Sequence, residues 1–184
     1  MKSVRALQAS IIENARALGF EYERTITGCC QCTIAAVQDV LDIRNDAVFK
    51  AGSGLTAGGG LSCDGSCGGY TGGVMVMSSI FGRCRQKWDN DQKEKDCAHR
   101  MAGALLSRFK RQYGSHICRE IHQHIFGRDF DLKNAAQRRA FEKSGAHVDR
   151  CTSVVGDAAA WAAELIFAEL AARKMALDDL HRMA

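Results

Sequence analysis

The chain has 184 residues, 46% of them apolar, a formal charge of +4 and no proline. That length reads as one domain able to bury a core without staples. The dispersed charge lacks the basic stripe and aromatic platforms of a nucleic-acid binder. No stretch reaches the roughly 18–20 apolar residues that span a bilayer, and residues 1–18 lack the apolar segment of a secretory signal. A soluble protein of a reducing, cytoplasmic compartment is expected.

Along the chain, Val4, Leu7, Ile11, Ala15 and Leu18 recur at helical spacing, and Gly19 is the expected stop. A second helix is predicted over 27–41, with Ile34, Val37, Val40 and Leu41 inward, and a short one near 45–51. Residues 52–73 then hold ten glycines and two cysteines, a loop with unusual backbone freedom or close approach to something bound. The small, apolar run 70–81 reads as a buried helix. Asp89 or Asn90 caps a long helix to Tyr113, with Ala98, Met101, Leu105 and Phe109 inward. Ser115 caps a shorter helix, 133–143 forms another that Gly145 closes, and Asp149 caps the last, on which Val154, Ala158, Trp161, Leu165 and Ala168 keep helical spacing. No period-2 alternation or hairpin signal occurs. The expected fold is all-α: a single-domain helical bundle over 1–184 with the glycine-rich loop inserted between helices.

Nine cysteines stand out: Cys29, Cys30, Cys32, Cys63, Cys67, Cys84, Cys97, Cys118 and Cys151. The odd count and the absence of secretory features disfavour a disulfide framework. Cys29, Cys67, Cys118 and Cys151 each fall in a predicted first turn. There, unpaired N–H groups and about half a positive charge favour thiolate over thiol. Four such thiolates suit one metal centre, with the helix N-termini offsetting its negative charge. The bland alternative is four buried cysteines packed as small hydrophobes. Cys29/Cys32 is also a C-x-x-C and Cys63/Cys67 a C-x-x-x-C, spacings open to a thiol–disulfide pair or a four-sulfur zinc site. Cys97, on a face with Met101 and Leu105, reads as core, and Cys84 as a helix-end residue. His122, four residues after Cys118, shares its face and is placed either to ligate or to hydrogen-bond such a centre; His124 points elsewhere. Arg119 and Glu120 are surface residues or supports of the site, and Asp129 and Asp131 a turn and cap. Phosphate-loop, paired-carboxylate and Ser-His-Asp signatures are missing, so the catalytic residues are unknown.

The ordered cysteines resemble the redox-active family named for the pattern C_GCAxxG_C_C. The matching residues are Cys29-Cys30-Gln31, the CGAxxG-like Cys67-Gly68-Gly69-Tyr70-Thr71-Gly72, Cys118-Arg119-Glu120 and Cys151, covering about 25–165. Gly69 replaces the family's usual alanine, and Cys30, Cys32, Cys63, Cys84 and Cys97 are additional. The resemblance implies a helical redox protein. A related domain in the dimeric split-Soret cytochromes carries an iron–sulfur centre beside c-type haems, and this chain has no haem-attachment motif. An iron–sulfur electron-transfer protein follows as the expectation. Its ligands would be Cys29, Cys67, Cys118 and Cys151, with Cys30, Cys32 or Cys63 as substitutes or additions. Gly68, Gly69, Gly72 and His122 would lie against a [2Fe–2S] or larger ([4Fe–4S]) cluster. The glycine-rich loop would fold over it with amides near the sulfurs. A redox partner protein and a homodimer are expected partners.

Overall fold

A computed structural model describes residues 2–182. Its α-helices are α1 (Lys2–Thr25), α2 (Cys29–Leu41), α3 (Asp46–Ala51), α4 (Gly68–Phe81), α5 (Gln92–Tyr113), α6 (Cys118–Phe126), α7 (Ala135–Lys143) and α8 (Cys151–Arg173). No strand forms among the described residues; the chain's isolated bridge pairs Ser66 with Ile117. No described helix is long and apolar enough to cross a membrane.

Helix α8 is the axis of the molecule. Ala158, Ala159, Ala160, Ala162, Ala163 and Ile166 have no exposed surface, because α1, α2, α4 and α5 all pack on it. A helix apolar on every side is stable only when surrounded in this way. Ile34, Val37 and Leu41 of α2 and Met101, Leu105 and Phe109 of α5 face inward as their spacing predicts.

Gly19 does not end α1. The helix continues to Thr25, and Gly19 is instead where α8 crosses it: a Cβ there would lie 3.0 Å from the Val155 carbonyl and 3.1 Å from Cβ of Ala159. Gly156 answers from α8, where a Cβ would meet the Arg16 carbonyl at 2.8 Å. Close backbone approach, not termination, explains this glycine. At the other end of α1, Val4 and Leu7 are more than half exposed, so the apolar stripe reaches the core only from Ile11 onward.

Two helices start under conventional caps. Asn45 Oδ1 accepts from the Val48 amide, and Asn134 Oδ1 accepts from those of Ala136 and Gln137. The expected caps of the others are displaced. Ser115 lies three residues before α6 and accepts from the Ile117 amide, bending the chain into the helix. Asp149 lies within a π-helical turn, Ala146–Arg150, that runs directly into α8. Helix α5 opens after Asp91 rather than Asp89 or Asn90.

Candidate metal centre

The four first-turn cysteines open four helices. Cys29, Cys118 and Cys151 are the first residues of α2, α6 and α8, and Cys67 is the cap residue of α4. None of these four helices has a side-chain cap; the first amides of α6 go to the Gly65 and Cys63 carbonyls and that of Cys151 to the Ala146 carbonyl, which leaves the first turns of α2 and α4 open to another acceptor. (Helix α5, which opens at the surface, also lacks such a cap.) All four cysteines line one cavity of about 200 Å³, shared with His122, Glu23, His147, Phe141 and Val155.

Local backbone bonds fix this convergence. The Cys67 amide donates to the His116 carbonyl at 2.7 Å, and the Cys118 amide to that of Gly65 at 3.0 Å. The Arg119 amide donates to the Cys63 carbonyl at 2.9 Å. The starts of α4 and α6 are therefore tied to each other through the end of the glycine-rich loop. That loop runs through left-handed backbone at Ala57, Gly58, Gly59, Gly60, Leu61 and Cys63. The Ala57 amide donates to Cys29 Sγ at 3.5 Å, so the loop does bring an amide to a sulfur.

Glycines set how close α4 comes. A Cβ on Gly68 would stand 2.2 Å from Cys29 Sγ and 2.7 Å from the Cys30 nitrogen; on Gly72, 2.5 Å from the Cys30 carbonyl. At Gly69 its one tight contact would be Cβ of Ala158, at 3.1 Å, with Phe109 and the Val154 carbonyl at an ordinary 3.6 Å. Gly68 and Gly72 thus form the face that beds α4 on α2. Gly69 faces α8, and its amide, with that of Tyr70, favours the Cys67 thiolate.

The electrostatics depart from the expectation that helix N-termini lower these thiol pKa values. Burial pushes the thiols of Cys29 and Cys151 well above the ordinary range, helped by Glu23 and by the Cys67 thiol. Burial raises Cys67 to about 11 against its two amides. Helix termini offer partial charges, and here these are outweighed by desolvation and by sulfurs repelling one another in a small volume. Cys63 and Cys118 share a proton: hydrogen bonding from the Cys118 thiol holds Cys63 down to about 5, and Cys118 rises in consequence.

His122 is buried, at 3% exposure. Its Nε2 lies 3.6 Å from Cys118 Sγ and 3.9 Å from Cys151 Sγ. Phe126, Phe130 and Phe141 box the ring at centroid distances of 5.5, 6.1 and 5.0 Å. Donor atoms of Cys63, Cys118 and His122 all lie within 4.8 Å of one another, a spacing that suits a metal ion. His124 faces away, against Tyr113.

The remaining cysteines separate by environment. Cys30 is buried between α2 and α4, its thiol 3.9 Å from the Met75 sulfur. Cys32 turns to Glu23, and burial first, then that carboxylate, raises its pKa. The partner of Cys63 is Cys118 rather than Cys67. Cys97 is core, as its spacing predicts, and contacts Met101 and Glu169. Cys84 is exposed beyond α4. Arg119 is a surface residue paired with Asp64 and Asp129, and Asp131 Oδ1 accepts from the Lys133 amide in a turn.

Sequence reasoning did not find Glu23, His147 or Glu142. Glu23 is 3% exposed, with Oε2 unpartnered. His147 bridges it, at 3.6 Å, to Glu142 at 2.7 Å. Glu23 first, and Glu142, raise the His147 pKa to about 9, so the imidazole is protonated at neutral pH and balances the buried carboxylate. The signal was the spacing Ala15–Gly19–Glu23, which continues the buried stripe once α1 is not stopped at Gly19.

The donor set fits a soft cation. Thiolates and imidazole select zinc, copper(I) or iron–sulfur centres, and crowded buried thiols that resist ionisation would be deprotonated by a bound cation. A family model described as "Putative redox-active protein (C_GCAxxG_C_C)" matches residues 27–165. No curated protein and no solved structure matches the chain.

Proposed function

The chain belongs to the C_GCAxxG_C_C family of redox-active proteins, and from that premise we propose that it is an iron–sulfur electron-transfer protein. The convergence of four helix-opening cysteines on one buried cavity carries this reading. A mononuclear ion with bonds of about 2.3 Å fills little space. The cavity, at about 200 Å³, is many times the ~10–15 Å³ that one water needs. That volume supports a polynuclear centre, with [2Fe–2S] the smallest choice.

Cys29, Cys67, Cys118 and Cys151 would hold the cluster, which supplies one-electron transfer when bound. The uncapped first turn of α4 offers the Gly69 and Tyr70 amides to the Cys67 sulfur, and the loop offers that of Ala57 to Cys29, which favours the reduced state electrostatically. Val155, Phe141 and Leu132 keep that wall of the cavity apolar, and His147, held protonated, offsets Glu23. A redox partner protein, a homodimeric state and a cytoplasmic setting belong to the same proposal.

Anaerobic purification followed by iron and acid-labile sulfide analysis tests it. A coloured protein containing both is expected, with both lost in Cys67→Ser. A colourless protein that takes up no iron on reconstitution overturns it, and zinc without sulfide would replace it with a zinc centre.

A further inference from the structure

The cavity's thiols are not equivalent. Cys29 and Cys67 stand together on one side, where a Cβ on Gly68 would strike the Cys29 sulfur. Cys118 stands on the other, with two donors outside the four-cysteine pattern: Cys63, fully buried, and His122. The Cys118 Sγ–His122 Nε2 separation of 3.6 Å agrees with the roughly 3.5–3.8 Å between donors that share a tetrahedral ion at bond lengths of about 2.0–2.3 Å. His122 Nδ1 is buried with no hydrogen-bond partner. The ring's polar contacts are therefore all with sulfur, while three phenylalanines hold its orientation. Burying an imidazole in this way is costly, and a metal bond at Nε2 would offset the cost. Cys63 is held there by a left-handed backbone (φ 59°) that a β-carbon-bearing residue rarely adopts without a tertiary reason.

Resting on the reading of this cavity as a metal centre, we infer that His122 Nε2 and the Cys63 thiolate are direct ligands, binding the same metal atom as Cys118. With Cys118 they give that atom two sulfurs and one nitrogen, all within 4.8 Å of one another; Cys151, whose sulfur is 3.9 Å from Nε2, lies outside that group. The centre is then asymmetric, with mixed Cys/His ligation at the α6 end and thiolates alone at the α2/α4 end. Replacing thiolate by neutral imidazole removes negative charge, which raises the reduction potential of an iron so ligated.

The test is a titration of the reduced, metal-free protein with Co²⁺ under nitrogen, read by the visible bands of tetrahedral cobalt and the near-ultraviolet sulfur-to-cobalt bands. The wild type is expected to bind tightly with a tetrahedral spectrum. His122→Gln and Cys63→Ser should each weaken binding by at least on the order of 100-fold, beyond the 10–100-fold loss usual for a group that merely hydrogen-bonds a ligand. Cys84→Ser, at an exposed cysteine outside the site, should bind like wild type. Circular dichroism establishes that each variant is folded. If His122→Gln does not fold, the proton spectrum of the wild-type Co²⁺ protein decides, through a hyperfine-shifted exchangeable imidazole N–H. Wild-type affinity and spectrum in either ligand variant, failure of the wild type to bind, or absence of the shifted N–H overturns the inference. Iron and sulfide content judges the cluster reading separately: sulfide without a nitrogen ligand sinks this assignment alone, and cobalt binding without sulfide on reconstitution sinks the cluster alone.

Discussion

Gly68 and Gly69 are neighbours with opposite tolerances. A methyl at 68 would meet Cys29 Sγ at 2.2 Å and a backbone nitrogen at 2.7 Å, and the backbone cannot yield without parting α4 from α2. Gly68→Ala should therefore destabilise by about 3 kcal/mol or more, at the upper end of overpacking costs, and should disturb the Cys29–Cys67 side of the cavity. At 69 the methyl meets another methyl at 3.1 Å, a contact eased by a shift of a few tenths of an ångström, and alanine adds helix propensity. Gly69→Ala should stay within about 1 kcal/mol of wild type. Denaturant unfolding of both variants checks this contrast, and equal losses would contradict it. A second residue-scale prediction concerns His147. Its folded pKa, raised to about 9, lies above the ordinary value near 6.5. Its contribution is then fully present below pH 6.5 and is lost as pH rises through 9. Relative to wild type, His147→Gln should be about 1–3 kcal/mol less stable at pH 6, with the gap closing by pH 10. A gap independent of pH would mean that the ion pairs with Glu23 and Glu142 do not form.

Among the elements, the crossing of α1 and α8 positions everything that the first helix brings to the site. Gly156→Ala places a methyl 2.8 Å from the Arg16 carbonyl, which should cost about 1–3 kcal/mol. By moving α1 outward it should also loosen Glu23 from His147, lowering the His147 pKa toward its ordinary value. Titration of the imidazole by nuclear magnetic resonance measures this; an unchanged pKa would show that Glu23 is positioned independently of the crossing. The same crossing marks where sequence reading stops. Helix identities and most inward faces were legible, because periodicity and local caps act within one segment. So were the four cysteine positions at helix starts, since Thr27, Ser66, Ser115 and Asp149 each stand within three residues before them. Gly19 was misread because a glycine that admits a neighbouring helix and one that ends its own look alike without the neighbour. The π-helical turn before Cys151 and the meeting of Cys63 with Cys118 are tertiary outcomes. Nothing local to residue 63 names a partner 55 positions away.

At the scale of the molecule, four helix N-termini converge on thiols that the protein alone would keep protonated, so stability is tied to what the cavity holds. In the metal-free protein burial pushes Cys67 up to about 11 and raises Cys29 and Cys151 well above the ordinary range, against about 8.5 for an unfolded thiol. Groups raised on folding give stability that is complete below the unfolded pKa and is lost as pH climbs through the folded one. Cys63, lowered to about 5 by Cys118, acts in the opposite sense: its contribution is present above 8.5 and lost as pH falls toward 5. The thiols by themselves favour a pH near 8 in the metal-free protein, while His147 favours a lower one. A steep loss follows between about 9 and 11, because a thiol whose folded pKa stands tenfold in proton affinity above its unfolded value contributes about 1.4 kcal/mol. With a metal bound the ligands are already thiolates and binding has released their protons, so the thiol share of the alkaline loss should be absent and only that of His147 should remain. Melting temperatures of loaded and metal-free protein, measured under reducing conditions at pH 8 and pH 10.5, should diverge, the metal-free form falling much further than the loaded form, which loses only the His147 contribution. A metal-free protein whose melting temperature is flat across that range would mean that the thiols are solvated rather than buried, and that the cavity does not need a cation to carry its charge.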